Sequence, residues 1–415
     1  MRFYSEVAVE KAMTVQQVLL RAYAGKLTWI EAAEILGYSP RHLRRLRKAH
    51  EEYGFHGLFD KRRGRLSPRR MPIEIVEIVQ RLYQERYHDF NVKHFHEKLV
   101  EKHGLTVSYT WTKNLLQESG IVAKESPRKK HRKKRERRPL PGMMLHIDGS
   151  DHQWFRDETR YDLIVILDDA TSDIYYARLV LEESTATVMA GLRQVVENKG
   201  VFCQLYTDRA SHFFKTPKAG EPVDKQSLTQ VGRAMRDLGV QLIPAYSPQA
   251  RGRSERSFRT WQGRLPQELR IRGIETVDQA NRFLEEEYID EFNRRFAVNP
   301  KIGQSAFVPC MRLDLDRVFS IQSERTVNRD NTVRFKNLVL QIDKQSWRGS
   351  MAGTKVIVYQ HLDQTLTIGL GAHEVGRYSE TGELIQPEAK KMAAAAGKKV
   401  NSPSYPSQQT GHMMC

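Results

Sequence analysis

The central part of the chain opens with the stretch Met144-Leu145-His146-Ile147-Asp148-Gly149-Ser150, an apolar run that ends in a carboxylate and a glycine. Runs of the same kind come after it, separated by turn residues, and they alternate with stretches of helical periodicity. The pattern predicts strands over 144–148, 163–167, 174–181, 202–207 and 240–245, with helices over 186–198 and 228–238. Elements in this order favour a mixed α/β sheet with helices on its faces.

Three carboxylates stand at the ends of these predicted elements. Asp148 ends the first strand, Asp208 ends the fourth, and Glu255 opens a helix that follows the loop over 246–253. Strand ends in such sheets face a common crevice, so we expect the three side chains to converge on one site. Hard divalent cations such as Mg²⁺ prefer carboxylate oxygens, and two such ions can assist a displacement at a phosphodiester.

Each acidic residue also has a plainer interpretation. An aspartate at a strand end is often a turn former, and a glutamate in a first helical turn interacts favourably with the helix dipole. We interpret Asp168 and Asp169, at the end of the second strand, as turn formers or helix caps. His152 and His212 are close to the candidate site in the sequence, but a lone histidine usually packs or lies at the surface, so neither is assigned a catalytic role.

Positive charge is concentrated in one short segment. The net charge is +17, and residues 128–138 carry nine basic residues against one acidic residue. Charges this dense repel each other in a free chain, whereas beside phosphates they release counterions and gain affinity. We therefore interpret residues 124–141 as a solvated linker that also binds DNA. The expected contacts are Arg128, Lys129, Lys130, Arg132, Lys133, Lys134 and Arg135.

Residues 1–60 have the pattern of an all-α helix-turn-helix unit. Thr28 and Glu31 form a capping-box pair, Gly37 supplies the turn, and Ser39 caps a second helix. The turn has the length that lets a second helix enter the major groove of DNA. The residues expected to face the DNA from that helix are Arg41, Arg44, Arg45, Arg47 and Lys48.

Three further regions flank the linker and the sheet. Residues 70–123 show helical periodicity and predict a second, winged-helix-like DNA-binding unit, with dimerisation as the alternative role. Residues 316–375 carry strand patterns and a turn at Asp330-Asn331, which favours a small β-barrel. Residues 386–415 are rich in Lys, Ala, Ser, Pro and Gln, and we expect them to be disordered.

The composition argues against several other classes of protein. No stretch approaches the roughly 20 uninterrupted apolar residues of a membrane span, and the N-terminus lacks the pattern of a secretory signal. Cys203, Cys310 and Cys415 are far apart and form neither a disulfide framework nor a zinc motif. We therefore expect an intracellular protein with no membrane contact and no structural zinc.

The ordered motifs resemble those of the DDE transposases of bacterial insertion sequences, within the retroviral integrase superfamily. The likeness rests on Asp148-Gly149-Ser150, on Asp168-Asp169-Ala170-Thr171-Ser172 and on the segment 247–253 ahead of Glu255. It is closest for integrase-core transposases with an Asp-Gly-Ser motif at the first carboxylate. It extends from the helix-turn-helix to the C-terminal strands, and although each motif is short, their ordered set is specific.

The resemblance implies an RNase H-like catalytic core over 142–300, preceded by the helical units and followed by the small barrel. It implies Mg²⁺ or Mn²⁺ as cofactor, with Asp148 bridging two ions while Asp208 and Glu255 each complete one site. Cleavage of the element ends by water would precede attack of a 3′-hydroxyl on target DNA.

The resemblance also implies the partners. The element's terminal repeats and the target would be bound as double-stranded DNA, by a homo-oligomer, because two ends are handled together. Near the site, Arg251, Arg253 and Arg256 are candidates to hold phosphates, with simple solvent exposure as the alternative. The expected location is the bacterial cytoplasm, at the nucleoid.

One spacing departs from the family. The interval between Asp208 and Glu255 is longer than usual, and a surface loop around 215–226 would account for it. Two other functions stay open: a DNA-binding regulator that has lost catalysis, and a simple nuclease on the same kind of fold. The three carboxylates argue against the regulator, and the flanking DNA-binding units argue against the simple nuclease.

Overall fold

A computed structural model of the chain describes residues 4–60, 70–124, 136–215, 224, 227–246, 252–311 and 313–385. The chain divides into two compact units, Met1–Arg81 and Leu82–Cys415. The linker residues 125–135 and the tail 386–415 lie outside the described part, and so does most of the loop predicted around 215–226. No helix in the described ranges is long and apolar enough to cross a membrane.

The first unit contains the predicted helix-turn-helix. Helix α1 covers Glu6–Tyr23, α2 covers Trp29–Leu36, and α3 covers Pro40–Tyr53. The capping box of Thr28 with Glu31 is formed, and Ser39 caps α3 as predicted. Gly37 ends α2 at φ 64°, in the left-handed region that glycine adopts at little cost. The buried side chains at the centre of this small core include Leu19, Ala32, Ala33 and Leu43.

Three helices occupy the region before the linker. They are α4 (Ile73–Glu85), α5 (Val92–His103) and α6 (Tyr109–Glu118). The segment 104–108 between α5 and α6 contains no strand, so the part of a wing that a winged-helix-like unit would place there is not formed. Gly104 at φ 63° ends α5, and Ser108 caps α6, so these few residues only reverse the chain.

The central sheet has the predicted mixed character and element order. Its strands are β1 (Leu145–His152), β2 (Tyr161–Asp168), β3 (Ile174–Val180), β4 (Gln204–Thr207) and β5 (Gln241–Pro244). They lie in the order β3-β2-β1-β4-β5, antiparallel from β3 to β1 and parallel from β1 to β5. Helix α7 (Thr185–Lys199) follows β3, and α8 (Gln230–Asp237) follows β4.

Strand β1 is longer than the sequence suggested. The expectation that Asp148 ends this strand is wrong, because Asp148 is followed by four more paired residues up to His152. These residues pair only with β2, whereas the parallel pairing with β4 is confined to Leu145 and His146. Asp148 therefore lies where the parallel pair ends, in the middle of an antiparallel pair.

Helices cover both faces of the sheet. On one face α7 and α8 pack against Leu145, Ile147 and Ile164. On the other face, four helices and a π-turn pack against Leu163, Val165 and the strand β3. These elements are α9 (Ser254–Gln262), α10 (Leu265–Arg272), α11 (Val277–Phe283), the π-turn Leu284–Tyr288 and α12 (Ile289–Phe296). Pro266 lies at the start of α10, as expected for a residue that limits α9.

The C-terminal region is built of strands, but the predicted barrel is not confirmed. After the short α13 (Leu315–Val318), β6 (Ile321–Thr326), β9 (Lys355–Gln360), β10 (Leu366–Leu370) and β11 (His373–Tyr378) form one antiparallel sheet. A separate hairpin joins β7 (Thr332–Phe335) to β8 (Leu338–Gln341). The two sheets share one core without closing on each other. This hairpin turns at Lys336 with φ 51°.

Helix α5 is fixed to α10 through buried charges. Lys98 Nζ lies 2.5 Å from a carboxylate oxygen of Glu268, and His94 Nε2–H donates to the same oxygen at 2.6 Å. Burial lowers the pKa of His94, so it acts as a neutral donor while Lys98 supplies the charge. Burial alone would raise the pKa of Glu268, but the His94 hydrogen bond and the Lys98 charge bring it down to about 2. This face of α5 is covered by protein, so any partner of residues 70–123 must bind elsewhere on them.

Replacement of Lys98 by methionine tests this interface. Lys98→Met should lower the free energy of unfolding by about 1.5–3 kcal/mol, because the buried Glu268 carboxylate loses its ammonium partner and keeps Arg272 at 2.9 Å and His94 at 2.6 Å. Urea unfolding of the full chain measures the loss. The control is Lys93→Met on the same helix, where the ammonium is largely exposed and 3.9 Å from Glu97, so no more than about 1 kcal/mol is expected. Equal losses in the two variants would contradict the assignment.

Candidate active site

Asp148 and Asp208 are brought side by side by the parallel pairing of β1 with β4. The pairing aligns Leu145 with Leu205 and His146 with Tyr206. Continued in the same register, it sets Asp148 opposite Asp208, which directly follows β4. Adjacent strands lie about 4.8 Å apart, so the two carboxylates occupy neighbouring positions where the parallel pair ends.

Both aspartates belong to the same face of the sheet. Across the antiparallel pair Asp148 is opposite Val165, which lies in the core beneath α9 to α12. His146 and Tyr206 are paired two residues before the aspartates. Their ring centroids lie 5.1 Å apart, so their side chains are on one face of the sheet. Because side chains alternate along a strand, Asp148 and Asp208 follow these rings on that face. Asp148 is 7% exposed and Asp208 is half-buried.

Helix α9, which carries Glu255 in its first turn, is fixed near β1 at both ends. At its C-terminal end, Gln262 Nε2–H donates to Ser150 Oγ at 2.9 Å. At its N-terminal end, the guanidinium of Arg253 pairs with the carboxylate of Asp169. The same carboxylate accepts a hydrogen bond from His146 Nε2–H at 2.7 Å. The helix therefore runs in the direction of β1.

These two anchors determine how far along the strand Glu255 lies. From Arg253 to Gln262 the helix rises by about 13.5 Å, and from His146 to Ser150 the strand covers about 13 Å, so the two spans match. Glu255 is about 3 Å into the helix, which puts it within about one strand residue of the level of Asp148. Two helical turns separate Glu255 from Gln262, so both residues lie on the helix face nearer to Ser150.

The strand register brings Asp148 and Asp208 to neighbouring positions, and Glu255 does not complete a metal-binding group with them. Within the described ranges no group of three or more His, Cys, Asp or Glu side chains is arranged to hold a metal ion, and Glu255 is exposed. The segment 247–251 that leads to Glu255 lies outside the described residues. Two adjacent carboxylates nevertheless fit Mg²⁺, which proteins usually hold through one or two carboxylates, with waters and substrate phosphates as the other ligands.

Within the enlarged interval between Asp208 and Glu255, Lys215 and Asp224 are paired with each other. The amide of Asp224 donates to the carbonyl of Lys215 at 2.8 Å, so the chain leaves and returns at one place. Of the loop predicted around 215–226, residues 216–223 and 225–226 lie outside the described part of the chain. The extra length therefore need not displace β5 or α9.

The two acidic residues after β2 have different surroundings. Asp168 accepts hydrogen bonds from the amides of Gly142, Ala170 and Thr171 at 2.7–3.0 Å, as expected for a turn former. Burial raises the pKa of Asp168 despite these donors. Burial would raise the pKa of Asp169 as well, but hydrogen bonds from His146 and the Arg138 amide and the pairing with Arg253 hold it well below its ordinary value.

A further carboxylate near the site was not predicted from the sequence. A Cβ added to Gly149 would collide with Glu183 Oε2, so the glycine after Asp148 leaves the space that this side chain occupies. The other oxygen of Glu183 accepts a hydrogen bond from His212 Nε2–H at 2.9 Å. Gly149 faces the opposite side of the sheet from Asp148, so this pair lies behind the strand. The one signal for Glu183 in the sequence is Gly149, whose missing side chain leaves space for a neighbouring group.

The arginines predicted near the site differ in what they contact. Arg253 is engaged by Asp169 and by the carbonyl oxygen of Glu136 at 2.9 Å, which favours a structural role over phosphate binding. Arg256 donates through Nε to the Gly252 carbonyl at 2.7 Å and is exposed, so it stays a candidate for phosphate. Arg251 and the basic residues 128–135 lie outside the described residues, and their roles stay predictions.

The recognition helix α3 presents its basic residues unequally. Arg41, Arg44, Arg45 and Lys48 are exposed. Arg47 is half-buried, because its Nε donates to Glu51 at 2.9 Å and its guanidinium lies 4.6 Å from the Trp29 ring centroid. We therefore expect Arg47 to stabilise the helix-turn-helix, and the other four to contact DNA.

Comparison with known proteins finds relatives along most of the chain. Residues 16–65 match the family described as a helix-turn-helix domain. The chain is 31% identical over 363 residues to the putative transposase y4bF of Sinorhizobium fredii (strain NBRC 101917 / NGR234), covering 86% of this chain and 79% of that protein. It is 29% identical over 362 residues to the transposase for insertion sequence IS1202 of Streptococcus pneumoniae, covering 78% of this chain and 77% of that one.

The solved structures with some likeness to the chain include viral integrase structures. One is the HTLV-2 integrase catalytic core domain in complex with magnesium, in a dimeric form, at 14% identity and a TM-score of 0.26, covering 36% of this chain and 89% of that one. Another is the simian T-cell lymphotropic virus intasome in complex with PP2A regulatory subunit B56 gamma, at 12% identity and a TM-score of 0.32, covering 61% and 85%.

The unequal environments on α3 make a paired test possible. Arg44→Ala and Arg45→Ala should each weaken binding to a specific DNA site by roughly 1–3 kcal/mol without altering the melting temperature, since each removes an exposed DNA contact. Arg47→Ala should lower the melting temperature, because it removes the contacts with Glu51 and Trp29. Gel-shift titration and thermal melting of the three variants measure both effects. Unchanged DNA binding in the Arg44 and Arg45 variants would rule out α3 as the reading helix.

Proposed function

The chain belongs to the transposases of bacterial insertion sequences, and we propose that it binds the ends of a mobile element and catalyses metal-dependent DNA cleavage and strand transfer. Residues 1–60 would recognise the terminal repeats, and the basic linker would add sequence-independent phosphate contacts. The RNase H-like core over 142–300 would carry out the chemistry. A homo-oligomer would hold two ends together.

The observation that carries this proposal is the adjacency of Asp148 and Asp208. Two carboxylates in neighbouring positions on one sheet face repel each other, and a bound cation relieves that repulsion. A protein that only binds DNA has no use for such a pair, which argues against the regulator. Glu255 is proposed as the third ligand because α9 brings it level with Asp148, and closure of its side chain onto the site would accompany DNA binding.

Each residue has a distinct part in the proposed reaction. Asp148, between Asp208 and α9, would contact both cations, while Asp208 and Glu255 would each hold one. Mg²⁺ or Mn²⁺, when bound there, would activate the attacking oxygen and stabilise the leaving one. The chain's own contribution would be orientation: the β1–β4 register would fix Asp148 and Asp208, and Arg256, exposed in the first turn of α9, would be available to a DNA phosphate.

An asparagine at position 148 separates binding from catalysis. Asp148→Asn should reduce Mg²⁺-dependent joining of an element end to target DNA by at least about a thousandfold, with end binding retained, because a carboxylate that would hold the cations is lost. The substrate is DNA from the borders of the element that encodes this chain, and products are resolved on sequencing gels.

The control for this variant is Asp151→Asn on the same strand. Asp151 faces the other side of β1, and its exposed pair with Arg160 at 2.9 Å contributes little to stability. Its joining activity should match that of the unmodified protein. Normal joining by Asp148→Asn would contradict the site, and cutting of DNA without regard to element ends would favour the simple nuclease.

A further inference from the structure

We propose that Asp169 is a positioning residue for Glu255, acting through Arg253 at the start of α9. This inference rests on the proposed function, because it takes Glu255 as a member of the active site. The place of Asp169 after a strand is typical of a turn former, yet its contacts reach three separate parts of the fold.

The Asp169 carboxylate is fully buried and surrounded by donors. Its two oxygens accept hydrogen bonds from His146 Nε2–H and from the Arg138 amide, each at 2.7 Å, and one of them pairs with Arg253. The backbone carbonyl of Asp169 accepts further hydrogen bonds from Arg253 at 3.0 Å and from Arg137 at 3.2 Å. The residue therefore joins β1, the segment after the linker, and the residue that precedes α9.

The start of α9 is in contact with other parts of the fold through its N-cap residue. Arg253 occupies the N-cap position with helical backbone angles, and its side chain makes no capping hydrogen bond. Arg253 therefore does not supply the Ser, Thr, Asp or Asn oxygen that commonly fixes a first turn. The N-terminal end of the helix is instead fixed from outside, by the guanidinium on Asp169 and on the Glu136 carbonyl at 2.9 Å. Glu255 is in the first turn and would move with it.

The neighbouring Asp168 provides a natural comparison. Both side chains are fully buried, adjacent in sequence and bonded to backbone amides. The hydrogen bonds of Asp168 serve the turn after β2 and the amide of Gly142 and do not reach α9. Loss of either carboxylate should destabilise the fold, but only loss of Asp169 should release Arg253.

Removal of the Asp169 charge should lower the local stability of α9 more than that of the rest of the core. In Asp169→Asn, one of the two oxygens becomes an amide nitrogen, so only one of the hydrogen bonds from His146 and Arg138 can be kept, and Arg253 loses the charge of Asp169. The first turn of α9 would then fray, and Glu255 would spend less time level with Asp148. Outer contacts of this kind typically contribute about 10–100-fold to metal affinity or activity.

The test compares Asp169→Asn and Arg253→Gln with Asp168→Asn in the full chain. Hydrogen exchange of the α9 amides 257–262, measured by mass spectrometry, should be about tenfold faster in the first two variants, because exchange follows local opening and loss of a helix-start contact makes opening easier. In Asp168→Asn, the exchange rate of these amides should not change relative to that of the whole core. The Mn²⁺ concentration for half-maximal strand transfer should rise in the same two variants, with unchanged binding of DNA ends. Arg253→Lys should change both measurements less than Arg253→Gln does, since it keeps the positive charge.

The outcomes distinguish this inference from the proposed function. Unchanged α9 exchange in Arg253→Gln, or the same acceleration in Asp168→Asn, would overturn the positioning role even if the protein joins DNA. If Asp169→Asn fails to fold, the two Arg253 variants decide the matter alone. Faster amide exchange confined to α9, in a protein that shows no strand transfer, would support the contact of Asp169 with Arg253 as the one that holds α9. It would overturn the proposed function instead.

Discussion

The site depends on the register of one short parallel strand pair. Strands β1 and β4 share only two paired positions, Leu145 with Leu205 and His146 with Tyr206, before β4 ends. A slip by one residue would move Asp208 to the opposite face of the sheet, because side chains alternate along a strand. The register is secured on both faces: Leu145 and Leu205 lie in the core under α7 and α8, and the rings of His146 and Tyr206 are in contact on the other face.

The same region also collects the chain segments that surround the site. Residues 136–138 are the last part of the basic run, and they contact Asp169 and Arg253 through their backbone or side chains. The segment proposed to bind DNA thus leads straight to the carboxylate that fixes the start of α9. Close by, Glu136, Arg137, Arg138, Met144, Tyr206 and Ile243 help to line a cavity of about 470 Å³ on this face of the sheet. DNA bound along the linker would therefore be directed toward Asp148 and Asp208.

Local sequence predicted much of this architecture, because the elements follow from short-range chemistry. The Thr28 and Ser39 caps, the apolar runs of β1 to β5 and the position of Glu255 at a helix start are each readable within a few residues. The predicted barrel is not confirmed, because closure of a sheet depends on long-range pairing that alternation does not specify. The length of β1 was missed for a similar reason, since the polar residues after Asp148 are held only by pairing with β2. The role of Asp169 was hidden because its partners, His146 and Arg253, are far away in the sequence.

An anomalous difference map from crystals of the full chain, grown with Mn²⁺ and DNA of an element end, tests most directly whether Asp148 and Asp208 hold a divalent cation together. We expect a peak at the end of the parallel pair, coordinated by oxygens of both aspartates, with Glu255 and a DNA phosphate among the remaining ligands. A peak bound to one aspartate alone, or well-ordered carboxylates with Mn²⁺ elsewhere, would contradict this expectation.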